Sequence, residues 1–273
     1  MCLQPITILN PTKYVSIHYK DRFLLQVPCG SCAECQRNKS NEWLYRTLYE
    51  FYDTFENNGF AIFDTLTYNN DSLPTLDQLE PQLPCVPCFR SKDITNFFKR
   101  LRIKLERKYS LKSCCSYFLS SEYGTKKQRP HYHLLLFVKT SNIDPLEVSS
   151  LISECWTFGR TDGVPYKSRC YVLHHNVIRL TTIGEILRCA NYVTKYVQKD
   201  CEFTDLINSR IKLVGLKLSV KHTREREKIV NEIKQFHVQS LHYGELALRD
   251  FDLYQIYNDG YLSIEGINKY PSL

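Results

Sequence analysis

The sequence predicts an α+β fold, a ferredoxin-like (split βαβ) antiparallel sheet with helices on one face. Three observations predict it. Strand-like and helix-like hydrophobic patterns alternate as β-α-β-β-α-β-α between residues 60 and 199, and the first six elements match the split βαβ order. The two central strands are joined by a short basic turn, Gly124 to Arg129, as a hairpin requires. No internal repeat or low-complexity tract offers another architecture.

Taken in order, residues 1–36 hold a short extended segment and the cluster Pro28-Cys29-Gly30-Ser31-Cys32-Ala33-Glu34-Cys35. Three cysteines at this spacing can converge on one zinc ion, which needs a fourth ligand. Cys2, His18, Cys85 and Cys88 are the candidates, and free thiols in a loop are the alternative. Ser40 to Asn58 reads as a helix. Ser40 can cap it, Trp43, Leu44, Leu48, Phe51 and Phe55 recur at helical spacing, and Asn58-Gly59 stops it. Phe60 to Tyr68 is a strand. Residues 69–87 form a loop with four prolines, long enough to suggest a functional or mobile segment.

An amphipathic helix follows over 92–108, with Ile94, Phe97, Phe98, Leu101 and Leu105 inward. Lys99, Arg100, Arg102, Lys104, Arg107 and Lys108 face mostly outward, as a solvated surface or a phosphate-binding face. Ser116 to Tyr123 and Pro130 to Lys139 are the hairpin strands. Asp144-Pro145 opens a helix with proline at its first position. Cys170 to Leu180 is a strand, and Thr182-Ile183-Gly184-Glu185 is a capping box for a helix to about Lys199. A charged helix over about 220–237 and an aromatic-rich tail complete the chain. Three regions result: an N-terminal Cys-cluster segment and helix (1–58), a core (59–200), and a C-terminal extension of unassigned role (201–273).

Composition narrows the function classes. The 273 residues suffice for one large domain or a core with additions, and 43% hydrophobic with 24% charged residues is ordinary for a globular protein. The net charge of +7 (36 basic minus 29 acidic) permits a polyanionic partner without demanding one. The N-terminus shows no secretory leader, and no apolar run approaches the ~18 residues of a membrane span. With 12 cysteines clustered at short spacings, a reducing interior with thiolates free for metal is expected.

The chemistry centres on Arg129-Pro130-His131-Tyr132-His133-Leu134. On a strand, His131 and His133 point to one face, about 7 Å apart along the chain, a ready pair of metal ligands. Alone, such a pair occurs by chance in many proteins. Glu122 ends the preceding hairpin strand and can join the histidines, or else pair with Lys126 or Lys127 at the surface. Two imidazoles and a carboxylate suit Mg²⁺ or Mn²⁺ with positions left for substrate oxygens. On the last helix, Ile183, Ile186, Ala190, Val193 and Val197 form the sheet-facing stripe. Arg188, Tyr192, Lys195, Tyr196 and Lys199 share the other side. Tyr192 and Tyr196, four apart, stack about 5–6 Å from each other at Cβ.

Taken together, Thr65-Leu66-Thr67-Tyr68, Glu122-Tyr123-Gly124, Arg129-Pro130-His131-Tyr132-His133 and Tyr192-Val193-Thr194-Lys195-Tyr196 resemble the ordered motifs of the HUH rolling-circle replication initiators. Paired tyrosines separated by three residues are similar to the two-tyrosine class of small single-stranded DNA phages. Met1-Cys2-Leu3, Pro28-Cys29-Gly30 and the Tyr192–Lys199 stretch resemble the initiators of gokushoviruses, a branch of the Microviridae. The resemblance covers roughly residues 1–200. Tyr132 departs from the aliphatic residue usual between the histidines, but it faces away from the metal side. Cys85 and Cys88 have no counterpart in the resemblance.

The resemblance implies an HUH endonuclease core in which His131, His133 and Glu122 hold Mg²⁺ or Mn²⁺. Tyr192 or Tyr196 attacks an origin phosphate, leaving a 5′-phosphotyrosine and a free 3′-OH. A tyrosine ordinarily titrates near 10, so Lys195 and Lys199 are expected to lower that value or contact phosphate. Expected partners are single-stranded origin DNA and the host helicase and replication machinery in the bacterial cytoplasm, because the sequence shows no P-loop. Two other readings compete. One is a non-catalytic single-stranded nucleic-acid-binding module with a structural ion, and the other is a plasmid mobilisation relaxase. The helical placement of the tyrosines favours the enzyme over the module.

Overall fold

Two short antiparallel strands, β1 (Ile6–Leu9) and β2 (Leu24–Val27), open the chain, paired from Ile6↔Val27 to Leu9↔Leu24. The computed structural model describes residues 2–9, 24–79, 81, 83–110, 114–124, 126–159, 171–178, 183–195, 227, 229, 231–246, 262–264 and 267–270. The remaining elements are α1 (Ala33–Glu56), β3 (Phe60–Thr67), α2 (Ser91–Tyr109), β4 (Cys115–Tyr123), β5 (Pro130–Val138), α3 (Pro145–Cys155), β6 (Tyr171–Ile178), α4 (Ile183–Thr194), β7 (His237–Gln239), and the paired β8 (Leu262–Ile264) and β9 (Ile267–Tyr270). The main sheet is antiparallel with the order β6-β3-β5-β4-β7. Its first four places are those of the expected split βαβ core.

Alternation along the central strand sorts the residues into two layers. Tyr132, Leu134, Leu136 and Val138 join Phe97, Leu101, Val148, Ile152 and Trp156, so α2 and α3 share one face. Leu135 and Phe137 point the other way, where Trp43, Leu48 and Phe51 of α1 meet Ile186, Ala190 and Val193 of α4. The second face is therefore covered too, by helices outside the split βαβ unit. It is the face on which His131 and His133 stand.

Two helix boundaries differ from the sequence expectation. Helix α1 begins at Ala33 rather than near Ser40, because Ala33-Glu34-Cys35-Gln36-Arg37 are competent helix formers that wind directly out of the cysteine turn. The charged segment before residue 237 is helical at 231–233, then turns extended. His237-Val238-Gln239 pair with Ser120, Leu119 and Phe118, covering the edge that β4 would otherwise expose. Residues 196–199, the expected end of the last helix, lie outside the described residues.

The long loop after β3 is packed. Leu76, Leu83, Cys88 and Phe89 are buried in the α2/α3 core, a capping box between Thr75 and Gln78 shapes a 3₁₀ turn, and Asn69 N donates to Phe158 O at 3.0 Å. Helix α2 has no side-chain cap of its own at Arg90. Glu232 takes that role from the far end of the chain, accepting from Ser91 N at 2.8 Å and Ser91 Oγ at 2.7 Å. The basic residues of α2 mostly fasten neighbours. Arg100 donates to Cys155 O at 3.0 and 2.8 Å, and Lys104 pairs with Glu154 at 2.6 Å.

Asp64 breaks the pattern of the core. It pairs across the sheet with Leu134, so its side chain shares that residue's face. Both carboxyl oxygens are buried and have no hydrogen-bond partner among the described residues. Burial pushes its pKa well above the ordinary value of 3.8. Above pH 3.8 an unfolded aspartate has lost its proton, whereas the folded one keeps it. Stability contributed by Asp64 therefore falls as pH rises through that window toward the folded pKa. Asp64→Asn, which does not titrate, is expected to be more stable than wild type at pH 8 by about 1–3 kcal/mol, with the gap closing toward pH 4. Urea unfolding at the two pH values reads it; equal pH slopes for both proteins would refute the assignment.

Candidate active site

The site is built at one end of three neighbouring strands. Register pairs Glu122 with His131, Ser120 with His133, Thr65 with His133 and Thr67 with His131. Directly opposed residues of an antiparallel pair point to the same side, about 4.5–5.5 Å apart at Cβ. Glu122 is thereby aimed at the histidines and not at Lys126 or Lys127, which are exposed on the hairpin turn. Its Oε2 lies 3.1 Å from His131 Nε2 and 3.0 Å from His133 Nε2. One ligand atom from each of the three residues falls within 4.8 Å of the others.

The outer nitrogens are occupied. His131 Nδ1 lies 3.3 Å from Arg129 O, and a carbonyl can only accept, so Nδ1 carries the proton and Nε2 offers the lone pair. His133 Nδ1 meets Thr65 Oγ1 at 3.2 Å. Such contacts orient ligating imidazoles in metal sites. Burial lowers the His133 pKa, against the opposing pull of the Glu122 hydrogen bond, so the ring stays neutral and able to ligate at neutral pH. Two octahedral bonds of ~2.1 Å at right angles span about 3.0 Å, which fits the two Glu122–histidine distances. The donor set suits a divalent cation.

Helix α4 brings Tyr192 to this centre. Ile186, Ala190 and Val193 bury the helix on the sheet, and Ser120 Oγ donates to Val193 O at 3.2 Å, tying its last turn to β4. The Tyr192 ring stands edge-on to His133, centroids 5.1 Å apart, and edge-on to Phe63 at 5.6 Å. It remains 39% exposed, so the phenol is reachable. Lys195 Nζ sits 4.2 Å from the centre of the same ring. Tyr196 and Lys199 lie outside the described residues. Tyr132, on the other face, is fully buried; its hydroxyl accepts from Arg90 N and shares a hydrogen bond with Tyr68 Oη, both at 3.2 Å.

A second cluster lies away from this site. Sulfurs of Cys2, Cys29, Cys32 and Cys35 fall within 4.8 Å of one another. Of the four candidates for a fourth ligand, Cys2 is the one brought to the cluster among the described residues. Cys88 is instead buried in the α2/α3 core, and His18 lies outside the described residues. The backbone N–H of Cys32, then the Ser31 backbone and hydroxyl, hold the Cys29 thiol down to about 6.

Sequence reasoning named the strand Thr65-Leu66-Thr67-Tyr68 without giving Thr65 a task. Its cross-strand place beside His133 follows only once the β3–β5 register is known. Phe63, which stacks on His133 at 6.0 Å, was likewise hidden among apolar strand residues.

Among the described residues, no helix is long and apolar enough to cross a membrane. Comparison with known proteins adds the relationship. A family model described as a replication-associated protein of the ORF2 type matches residues 61–201, the span holding every residue of this centre. The chain is 27% identical to the replication-associated protein ORF2 of Spiroplasma virus 4 over 267 residues, covering 85% of this chain and 72% of that one. It is 28% identical over 201 residues to the replication-associated protein VP4 of Bdellovibrio phage phiMH2K, and 26% identical over 213 residues to the replication-associated protein ORF4 of Chlamydia phage 1. Those alignments cover 66% and 72% of this chain, and it spans 58% and 44% of the two relatives' lengths. No solved structure matches. With the family model matching more than half of its length, the chain belongs to the ORF2-type family of replication-associated proteins.

Proposed function

We propose that this protein initiates rolling-circle replication of a small single-stranded DNA phage by nicking and rejoining origin DNA. The observation that carries the reading is the meeting of Tyr192 with the Glu122–His131–His133 centre across the face of the sheet. The N-terminal Met1-Cys2-Leu3 and the Pro28-Cys29-Gly30 cluster support a gokushovirus-like initiator.

Glu122, His131 and His133 would hold Mg²⁺ or Mn²⁺, which when bound polarises the scissile phosphate and stabilises charge on the departing 3′ oxygen. The Tyr192 oxygen attacks phosphorus. A phenol O–P bond forms, the P–O3′ bond breaks, the phenol proton is released, and the 3′ oxygen takes up a proton. Lys195 supplies positive charge beside the tyrosine and the incoming phosphate. His133 and Phe63 hold the tyrosine ring edge-on, which limits the orientations its oxygen samples. The phosphotyrosine keeps the energy of the cleaved diester, so rejoining by a 3′-OH needs no nucleotide cofactor. Tyr196, one helical turn on, would act as the second nucleophile, with Lys199 beside it, when the regenerated origin is cut. In this reading the partners are origin DNA and the host helicase and replication enzymes, in the bacterial cytoplasm.

Incubation with single-stranded origin oligonucleotides and Mn²⁺, followed by a denaturing gel, is expected to give a covalent protein–DNA band. Tyr192→Phe should remove one of two cleavage activities, and the Tyr192→Phe/Tyr196→Phe double variant should give no adduct. DNA binding with no adduct on any origin oligonucleotide would instead indicate a non-catalytic single-strand-binding module.

A further inference from the structure

We propose that Cys2, Cys29, Cys32 and Cys35 hold one zinc ion as a tetrathiolate, and that this ion clamps the open end of the β1–β2 hairpin to the start of α1. This zinc site stands apart from the nicking centre and needs none of its residues.

The sulfur geometry suits a single ion. Cys2 Sγ lies 3.9 Å from Cys32 Sγ, and Cys29 Sγ lies 3.9 Å from Cys35 Sγ. Zn–S bonds of ~2.3 Å at tetrahedral angles separate sulfurs by about 3.8 Å. All four thiols are free, and a disulfide would need ~2.05 Å. The sulfurs are too close together to enclose a polynuclear iron–sulfur core.

The surroundings are those of thiolates. Cys29 N donates to Cys2 Sγ at 3.3 Å, Cys32 N donates to Cys29 Sγ at 3.3 Å, and Ser31 Oγ donates to Cys29 Sγ at 3.6 Å. Gly30, at φ +74°, turns the chain so that Cys29 and Cys32 converge; a side chain there would meet no atom within 4 Å, so the backbone angle is what calls for glycine. Cys32 is the N-cap of α1 and Cys35 lies in its first turn. The positive end of a 24-residue helix thus faces the cluster and favours the net negative charge of a zinc tetrathiolate.

Something other than packing must hold this hairpin. A two-stranded ribbon is marginal alone, and here Leu3, Ile6, Ile8 and Leu24 are exposed instead of forming a core. Cys2 precedes β1 and Cys29 follows β2, so one ion closes the ribbon at its base. The clamped helix is α1, whose Trp43, Leu48 and Phe51 pack beside α4 and so back the helix that carries Tyr192.

Metal analysis of the full chain, purified under reducing conditions, tests this. One zinc per chain is expected, retained by His131→Ala and lost by the Cys29→Ser/Cys32→Ser double variant. Should that double variant fail to fold, cobalt(II) added to metal-depleted wild type provides the reading. Strong thiolate-to-cobalt charge transfer with tetrahedral d–d bands is expected, and added zinc should slow amide exchange over residues 33–40 severalfold while leaving residues 130–138 unchanged. Iron in place of zinc, zinc that leaves with the His131→Ala change, a cobalt spectrum without thiolate bands, or amide exchange over 33–40 that ignores zinc would overturn the proposal.

Discussion

His133→Ala is expected to lower metal-dependent nicking about a thousandfold, the loss of roughly 4 kcal/mol of transition-state stabilisation. The ring is buried, its Nε2 is 3.0 Å from Glu122 and its Nδ1 is held by Thr65. Alanine removes a ligand atom and also the surface against which Tyr192 stands. His131→Ala removes a ligand atom without touching that surface, so it should cost less and be partly relieved by high Mn²⁺. Single-turnover cleavage of a single-stranded oligonucleotide across a Mn²⁺ titration separates the two effects. A His133→Ala rate within tenfold of wild type at saturating metal would mean that the centre is not catalytic.

The largest expected loss of stability follows Glu50→Ala, about 3–5 kcal/mol, the range for breaking a buried charge pair from one side. Glu50 is 3% exposed and joins three parts of the chain. It pairs with Lys139 Nζ at 2.6 Å, accepts from the Ser116 hydroxyl, and accepts from Gly244 N at 2.6 Å. Gly244 sits at φ +65°, where any Cβ would come within 2.6 Å of Arg46. Removing the carboxylate leaves Lys139 with Asp53 alone, at 2.5 Å, and strands a backbone N–H. Burial disfavours the charged lysine, but its bonds to Asp53 and Glu50 outweigh this and raise its pKa above 10.5. A lysine raised on folding contributes fully below 10.5 and loses that contribution as pH climbs through the folded value. The Glu50→Ala penalty should therefore be constant from pH 6 to 9. Urea denaturation at pH 7 measures it, and a loss under 1 kcal/mol would show that the network is not cooperative.

Much of the core was legible because its signals are local. Period-2 runs marked β3, β4 and β5, the Asp144-Pro145 start marked α3, and the same-facing histidines follow from strand geometry alone. Glu122 could be nominated because a hairpin fixes register over short distances, and the observed pairing with His131 is such a case. What stayed hidden depends on contacts between remote segments. Nothing near Arg90 reveals that Glu232 caps its helix, and three residues of β7 carry too short a pattern to read as a strand. The start of α1 was misplaced because Ser40 is a plausible local cap, whereas the cysteine turn begins the helix seven residues earlier. Asp64 was invisible for another reason, since a lone carboxylate in an apolar strand gives no sign of whether a partner waits beside it.

The late strand β7 has a consequence for synthesis. A ribosome makes residues 115–138, including all three members of the His–Glu centre, long before it makes residues 237–239. Until then β4, the strand that carries Glu122, offers bare backbone groups along its outer edge, and the first turn of α2 awaits Glu232. Vectorial production therefore delivers the ligands first and their support last. The nascent chain can assemble a finished nicking centre only once about 240 residues have emerged, by which point the tyrosine helix is already in place.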